Sequence, residues 1–326
     1  MSKILLTGTG GFIFSQFVRQ VIYEQNQKKD KRHTFSSVDR VNANVESAKY
    51  INKDHTFYPA DIRDQHVMDI IFQFEKPNVV IHAAAESAVD KSLTDPNSFV
   101  SSNVLGTQVI INCCLKYGVK KLIYVSSDEV YGQLTNEQEV SWTEDDVPNP
   151  RNPYSASKYC GEILIKAAYQ SHGLTYNVTR SSNNYGPRQM PDKLIPRAIK
   201  CILEGKKIPI YGQGQQIRDW TFVGDNCSAI MTVLEKGTPN EVYNISANQE
   251  FSNLEVVHEI CKYMGKSADA IEFIPDPRGN GHDFRYSVNS SKIRELGWKP
   301  TMQFKKDLGT CCIDWFLQNK FWFNQS

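Results

Sequence analysis

Tyr154 and Lys158 stand four residues apart in "PYSASK", directly after Pro153. A helix opening there puts both on one face. An ammonium beside a phenol stabilises the phenolate and draws its pKa toward working pH. Such a tyrosine can take a proton from a hydroxyl while hydride leaves the same carbon. Y-x-x-x-K pairs also occur on ordinary surface helices, so the reading depends on what surrounds this one. Nearby, "SSDEVYG" closes an apolar run with Ser127 and the adjacent carboxyls Asp128 and Glu129. These two acids either serve proton transfer or cap a helix and face solvent.

The start of the chain, "KILLTGTGGFIF", joins an apolar run to Gly8, Gly10 and Gly11 and then to a helical pattern. Gly8-x-x-Gly11 predicts a tight turn whose backbone N–H groups face a pyrophosphate at a helix N-terminus. Asp39 closes the second predicted strand. It is either a ligand of the adenosine ribose, favouring NAD over NADP, or a turn residue. Arg40 beside it is a cation that a 2′-phosphate would suit. Asp61 and Ile62, after the third predicted strand, can meet the adenine edge and face. Phe14 stands where a third small residue normally lets the helix close on the sheet. Either its ring fills room left by Ala83, Ala84 and Ala85, or the helix is displaced outward.

The elements needed to hold these groups are legible. Apolar runs at 3–7, 35–39, 56–59, 78–83, 121–126 and 174–179 alternate with helical patterns from about 12, at 65–74, 96–117 and from 153. The predicted class is α/β, a Rossmann-like doubly wound parallel sheet. Glycine- and proline-rich turns around 185–191, 211–214 and 276–281 divide helical segments near 195–204, 226–235 and 254–264. They predict a smaller interleaved α/β substrate domain. The expected division is 1–180 with 219–246 for the nucleotide, and 181–218 with 247–326 for the substrate.

The 326 residues are 40% apolar and 22% charged, with net charge +1. Nothing in that balance suggests nucleic acid. The basic run Lys28, Lys29, Lys31, Arg32 reads as a solvated loop. No apolar run reaches the ~20 residues that span a bilayer, and no signal peptide is read at the start. The eight cysteines include the pairs Cys113–Cys114 and Cys311–Cys312 but no C-x-x-C. No metal site is expected, and buried free thiols point to the cytoplasm.

"TGTGGFI", "HAAAESAVDKS", "SSDEVYG", "YSASK", "SSNNYGPRQMPDKLIP" and "GQGQQIRDW" together resemble the extended short-chain dehydrogenase/reductases acting on nucleotide sugars. The likeness runs nearly end to end. It is strongest to the dTDP-glucose 4,6-dehydratase family and its UDP-glucose relatives. Epimerases of the superfamily lack the acid pair. The resemblance implies tightly bound NAD and a redox-neutral reaction. Tyr154 accepts the C4 hydroxyl proton as hydride leaves C4, and Lys158 also holds the nicotinamide ribose. Glu129 takes the C5 proton, Asp128 protonates the leaving C6 hydroxyl, and hydride returns to C6. Ser127 hydrogen-bonds the C4 oxygen.

By the same resemblance the cofactor contacts are Gly8, Gly11, Phe12, Ile13, Asp39, Arg40, Asn42, Asp61, Ile62, Ala83, Ala84, Ala85, Ser102, Tyr154, Lys158 and Asn184. Ser87, Asn183, Lys193 and Leu194 are carried over to the substrate side, with Glu86 facing the sugar and Ser127 already named. Pro209 and Tyr211 match the base segment, Arg218 and Arg278 the diphosphate ligands, and Asn253 and His282 the rest of the pocket. "DPRGNGHDFRY" departs from the family's "DRPGHDxRY", and Ala88 replaces a more usual histidine. A homodimer is implied through the helices at 96–117 and 153 onward. The competing readings are a UDP-glucose 4,6-dehydratase, a UDP-sugar 4-epimerase and an inactive nucleotide-sugar-binding protein. One methyl distinguishes thymine from uracil and is worth only ~1 kcal/mol of discrimination.

Overall fold

The computed structural model describes residues 2–28, 32–40, 55–136, 140–279 and 282–324. The first six strands are β1 (Ser2–Thr7), β2 (His33–Asp39), β3 (His55–Pro59), β4 (Val79–His82), β5 (Lys121–Ser127) and β6 (Tyr176–Ser181). Then come β7 (Asn183–Tyr185), β8 (Ile208–Tyr211), β9 (Ile217–Phe222), β10 (Glu241–Ile245), β11 (Glu250–Ser252) and β12 (Ile271–Ile274). Among the described residues the main sheet runs β3-β2-β1-β4-β5-β6-β10, all parallel. Leu6 pairs with Ile81 across β1 and β4, where the strand order reverses. A doubly wound sheet opens its ligand crevice at that switch point, beyond the strand C-termini.

Helices cover both faces, which is why the central strands are continuous buried apolar runs. They are α1 (Phe12–Lys28), α2 (Gln65–Glu75), α3 (Pro96–Lys116), α4 (Pro153–His172) and α6 (Val223–Lys236), while α5 (Leu194–Leu203) and α7 (Asn253–Tyr263) pack in the smaller layer. One buried cluster joins Ile4, Leu6, Phe14, Phe17, Val223 and Ile230. The other joins Leu5, Val80, Met68, Ile110, Leu122 and Ile165. A third core, with Tyr185, Ile199, Trp220, Val257, Phe304 and Trp322, holds the smaller layer. There β9 lies between β7 and β11, and β8 pairs with β12. These short strands were not predicted.

Two boundaries differ from those read in the sequence. β9 belongs with the smaller sheet, so the return to the main sheet begins at α6 rather than at 219. Ile293 and Trp298 also pack in the main-sheet cluster. The Trp298 indole donates to the Asp225 carbonyl at 3.1 Å. The stretch around 291–298, expected in the substrate domain, therefore sits on the nucleotide side.

α3 corrects the reading that no segment is long and apolar enough to cross a bilayer. Within its 21 residues an 18-residue window has a mean hydropathy of 1.3, enough by length and composition alone. Yet 44% of that window is buried in the protein, and the helix packs on α2 and α4. Apolar character here reflects a core helix. Its middle, Val100–Leu105, widens to a π-turn, a feature common where helices carry functional groups. All eight cysteines are free.

Candidate active site

β1 delivers the chain into the switch-point crevice, and Gly8 makes the turn at φ +83°. A Cβ there would lie 2.7 Å from the Ala84 amide nitrogen, so only glycine lets the turn press on the end of β4. Beyond it opens a cavity of about 960 Å³. Gly8, Gly11, Phe12, Ile13, Asp39, Arg40, Asp61, Ile62, Ala83, Ala84, Ala85 and Ser102 line it. Tyr154 and Lys158 line it as well. Asn184 lines the adjoining cavity instead. Asn42, like the basic residues Lys29 and Lys31, lies outside the described residues.

This cleft fits a dinucleotide. The Gly10 amide donates to the Asp39 carboxylate at 2.7 Å, placing the acid over the glycine turn. Burial raises the Asp39 pKa, while that N–H and the Arg40 amide lower it. Arg40 is held by Glu86 at 2.8 Å, so the cation that would suit a 2′-phosphate is already paired. The arrangement favours NAD. The Thr9 hydroxyl is buried with no protein partner.

Phe14 neither lies exposed nor projects from α1. It is 1% exposed and stacks on Phe17, with centroids 5.1 Å apart and planes 9° from parallel. Of the alanine run, only Ala83 packs on this cluster; Ala84 packs on the opposite face. Burying such a side chain stabilises by roughly 1.5–3 kcal/mol.

The second cavity, about 310 Å³, adjoins the first, and Phe12, Ile13, Ser87, Ser126, Tyr154, Gln189 and Lys193 line both. Ser127, Asp128 and Glu129 project into it from the end of β5. They form one 3-10 turn, Asp128–Tyr131, whose cap is Ser127: its hydroxyl accepts from the Glu129 amide at 3.3 Å. The acids therefore do begin a helical turn, but inside the pocket. Tyr154 arrives on α4, which starts sharply because Asn152 caps it and Pro153 fills its first position. Asn103, from the π-turn of α3, donates to Ser157 at 2.8 Å and to the Glu86 carbonyl at 2.9 Å, tying this helix to the loop beneath the cofactor cleft.

The two carboxyls sit in different fields. Burial pushes Asp128 well above the usual carboxylate range; the Glu129 and Asp219 charges add to this, and Arg218 opposes it. One Asp128 oxygen, Oδ2, has no hydrogen-bond partner. Burial also raises Glu129, but Arg218, Asn152 and Arg278 all pull it back. Asp128 is thereby fitted to hold a proton and Glu129 to receive one.

Tyr154 departs from the sequence reading. Burial and the Glu129 charge hold its phenol above the ordinary range, offset in part by the Ser127 hydroxyl. Lys158 is not aimed at the phenol: its ammonium rests 4.2 Å from the Tyr124 ring centre. Burial draws Lys158 down to about 7, opposed by the Glu162 carboxylate one turn on.

Toward the mouth, Ser87, Asn183, Lys193, Leu194, Pro209 and Tyr211 line the second cavity, as do Arg218, Asn253, Arg278 and His282. Glu86 lines neither cavity; its carboxylate faces Arg40 and Lys91 rather than the sugar pocket. Arg218 spends donors on the carbonyls of Ile217 (2.7 Å), Phe284 (3.1 Å) and Asp283 (2.8 Å). Arg278 pairs with Asp90 across the mouth. His282 meets Asp276 at 2.5 Å.

Several groups at the site escaped the sequence reading. Asn152 donates to Glu129 at 3.3 Å, and the Tyr286 hydroxyl stands 3.4 Å from the same oxygen. Gln189 lines both cavities, and its carbonyl takes the Trp322 indole N–H at 2.9 Å. Asn152 carried a signal, a capping residue before proline. The others depend on contacts between distant segments.

Known proteins resemble this chain over nearly its whole length. The family described as GDP-mannose 4,6 dehydratase matches residues 5–309. The Escherichia coli protein named dTDP-glucose 4,6-dehydratase is 38% identical, covering 99% of this chain and 96% of its own. The Haloferax volcanii low-salt glycan biosynthesis protein Agl12 is also 38% identical, over 96% of this chain and 98% of its own. A Streptomyces venezuelae dTDP-glucose 4,6-dehydratase crystallised with NAD superimposes with TM-score 0.93 at 33% identity, covering 99% of this chain and all (100%) of that one. On that breadth of match and on the Tyr154, Asp128 and Glu129 pocket beside the glycine cleft, the chain belongs to the nucleotide-sugar 4,6-dehydratase family of extended short-chain dehydrogenase/reductases.

Proposed function

We propose that this protein is an NAD-dependent lyase that converts dTDP-glucose to dTDP-4-keto-6-deoxy-glucose. The observation that carries this reading is the convergence of Ser127, Asp128, Glu129 and Tyr154 on one cavity that opens into the Gly8 cleft. NAD, held by the glycine turn, Asp39 and Lys158, supplies a hydride acceptor that later gives the hydride back, so the reaction has no net redox change. Tyr154, as the phenolate that the positive nicotinamide of bound NAD would favour over the phenol whose pKa burial raises, takes the C4 hydroxyl proton, and Ser127 hydrogen-bonds the C4 oxygen. The C4 carbonyl acidifies C5–H, and Glu129 removes that proton. Asp128 gives its proton to the C6 hydroxyl, which leaves as water. Glu129 returns its proton to C5. The proton gained by Tyr154 and the one lost by Asp128 balance through solvent.

Incubation with dTDP-glucose tests this. The expected product has lost one water and develops the alkali-induced absorbance of a 4-keto sugar. An epimer of unchanged mass would select the 4-epimerase reading, and ligand binding without turnover the inactive one. Parallel kinetics with UDP-glucose decide the base; the thymidine nucleotide is favoured by the relatives named above.

A homodimer is the assembly we infer. Val100 and Leu105 on α3 and Ile163 on α4 are large apolar residues left about half exposed, a pattern that a second copy would cover. Light scattering at the concentration of the assay measures it. Free cysteines throughout support a reducing, cytoplasmic location. The cofactor domain in this reading is 2–180 with 223–245 and 291–298.

A further inference from the structure

Glu129 sits in a closed ring of side chains. Asn152 holds its Oε2 at 3.3 Å, and the Tyr286 hydroxyl faces the same atom at 3.4 Å. Tyr286 is itself bound to Asp283 Oδ2 at 2.6 Å. Asp283 Oδ1 pairs with Arg151 Nε at 2.8 Å, and Arg151 adjoins Asn152. The ring thus joins the N-terminus of α4 to the loop at 283–286, two segments far apart in the sequence. Gly132, at the end of the 3-10 turn, packs on the same segment: a Cβ there would lie 2.4 Å from the Asn149 carbonyl oxygen.

A phenol has one proton. The short contact places it on Asp283, whose carboxylate side chain is fully buried and whose other oxygen is ion-paired, without a hydrogen bond, to Arg151. The Tyr286 oxygen then meets Glu129 with a lone pair. A lone pair opposes the carboxylate form of Glu129 and accepts a hydrogen bond from the protonated form, which makes Glu129 a stronger base.

We propose that the Arg151–Asp283 ion pair is a positioning device for the base: it holds the Tyr286 proton away from Glu129 and so primes Glu129 to remove the C5 proton. This rests on the dehydratase reading. Other charged or titratable groups facing Glu129 are Arg218, Arg278, Asp128 and Tyr154, and all are retained in the variants below.

Asp283→Asn removes the strong acceptor and a negative charge, and both changes weaken the base. Expected are a fall in kcat of about tenfold to hundredfold, a KM within about threefold, and an acidic limb of the kcat–pH profile displaced to lower pH. The isotope effect with C5-deuterated substrate should grow as C5 abstraction becomes limiting. Arg151→Lys, at the outer and more exposed end of the ring, keeps the charge but loses the guanidinium that fixes Asp283; it should move the same readouts in the same direction by less, and keeps the proposal testable if Asp283→Asn does not fold. The double variant should be no slower than Asp283→Asn alone. An unmoved acidic limb together with an unchanged C5 isotope effect overturns the proposal, even if kcat falls. A wild-type protein that makes no 4-keto sugar overturns the dehydratase reading first, and this inference with it.

Discussion

The Lys158 ammonium lies 4.2 Å from the centre of the fully buried Tyr124 ring. The ring face offsets part of the desolvation cost of a charge that is 3% exposed. Burial still lowers the Lys158 pKa from its ordinary value to about 7. Between that value and the ordinary lysine value the unfolded chain carries a proton that the folded chain has released. Stability of the NAD-free protein therefore rises with pH through that window, and it falls as pH drops toward about 7. Lys158→Met should flatten this rise. Denaturant titrations of both proteins from about pH 7 to 10 measure the difference; equal slopes would count against a buried, depressed lysine.

The nucleotide half of the fold was legible because parallel strands covered on both faces are unbroken apolar runs, as in β1, β4 and β5. β7 and β11 are three residues each. They carry no periodicity long enough to read, and they exist because β9 lies between them. Tyr154, Lys158, Asp128 and Glu129 were legible because each pair is local in sequence. Tyr286 meets Glu129 across 157 positions, a contact that only packing creates. The direction of the Tyr154 shift was misread for a related reason: spacing reports the neighbouring lysine, but burial and the two carboxyls set the field.

Phe14 tests how the glycine motif tolerates a benzyl group. Its stacking on Phe17 makes it part of the core rather than a source of strain. Phe14→Ala should cost about 3–5 kcal/mol of stability by leaving a cavity, and Phe14→Leu clearly less. Urea midpoints of the three proteins provide the check. An alanine variant as stable as the parent would mean that α1 had simply closed onto the sheet.

Gly8 offers a sharper test of the cofactor cleft. Any Cβ must push against the Ala84 backbone, and φ +83° is itself costly for other residues. Gly8→Ala should separate the turn from β4 and weaken NAD retention by at least about tenfold, the effect of roughly 1.4 kcal/mol. Isolating the protein and measuring its bound nucleotide after gel filtration gives the answer. Gly118→Ala is the comparison, because Gly118 shares the positive φ (+68°) while a Cβ there meets nothing within 4 Å. Equal retention in the Gly8 variant and the parent would remove the close approach from the account of binding.

The pH dependence of turnover should separate the two acids. Glu129 must be ionised to accept the C5 proton, so activity falls on the acidic side as it protonates. Its raised pKa puts that limb above the usual carboxylate range. Asp128 must keep its proton to release water, so activity falls on the alkaline side as it ionises. Its larger displacement, driven by burial and then by Glu129, moves that limb further up. Glu129→Gln should lower kcat by about 10²–10⁴-fold and abolish the acidic limb. Asp128→Asn should lower kcat comparably and abolish the alkaline limb, leaving the acidic one, because Glu129 is still present. Profiles of kcat with dTDP-glucose for the parent and both variants decide it. An exchange of limbs, with the alkaline one surviving in Asp128→Asn and vanishing in Glu129→Gln, would reverse the assignment of acid and base.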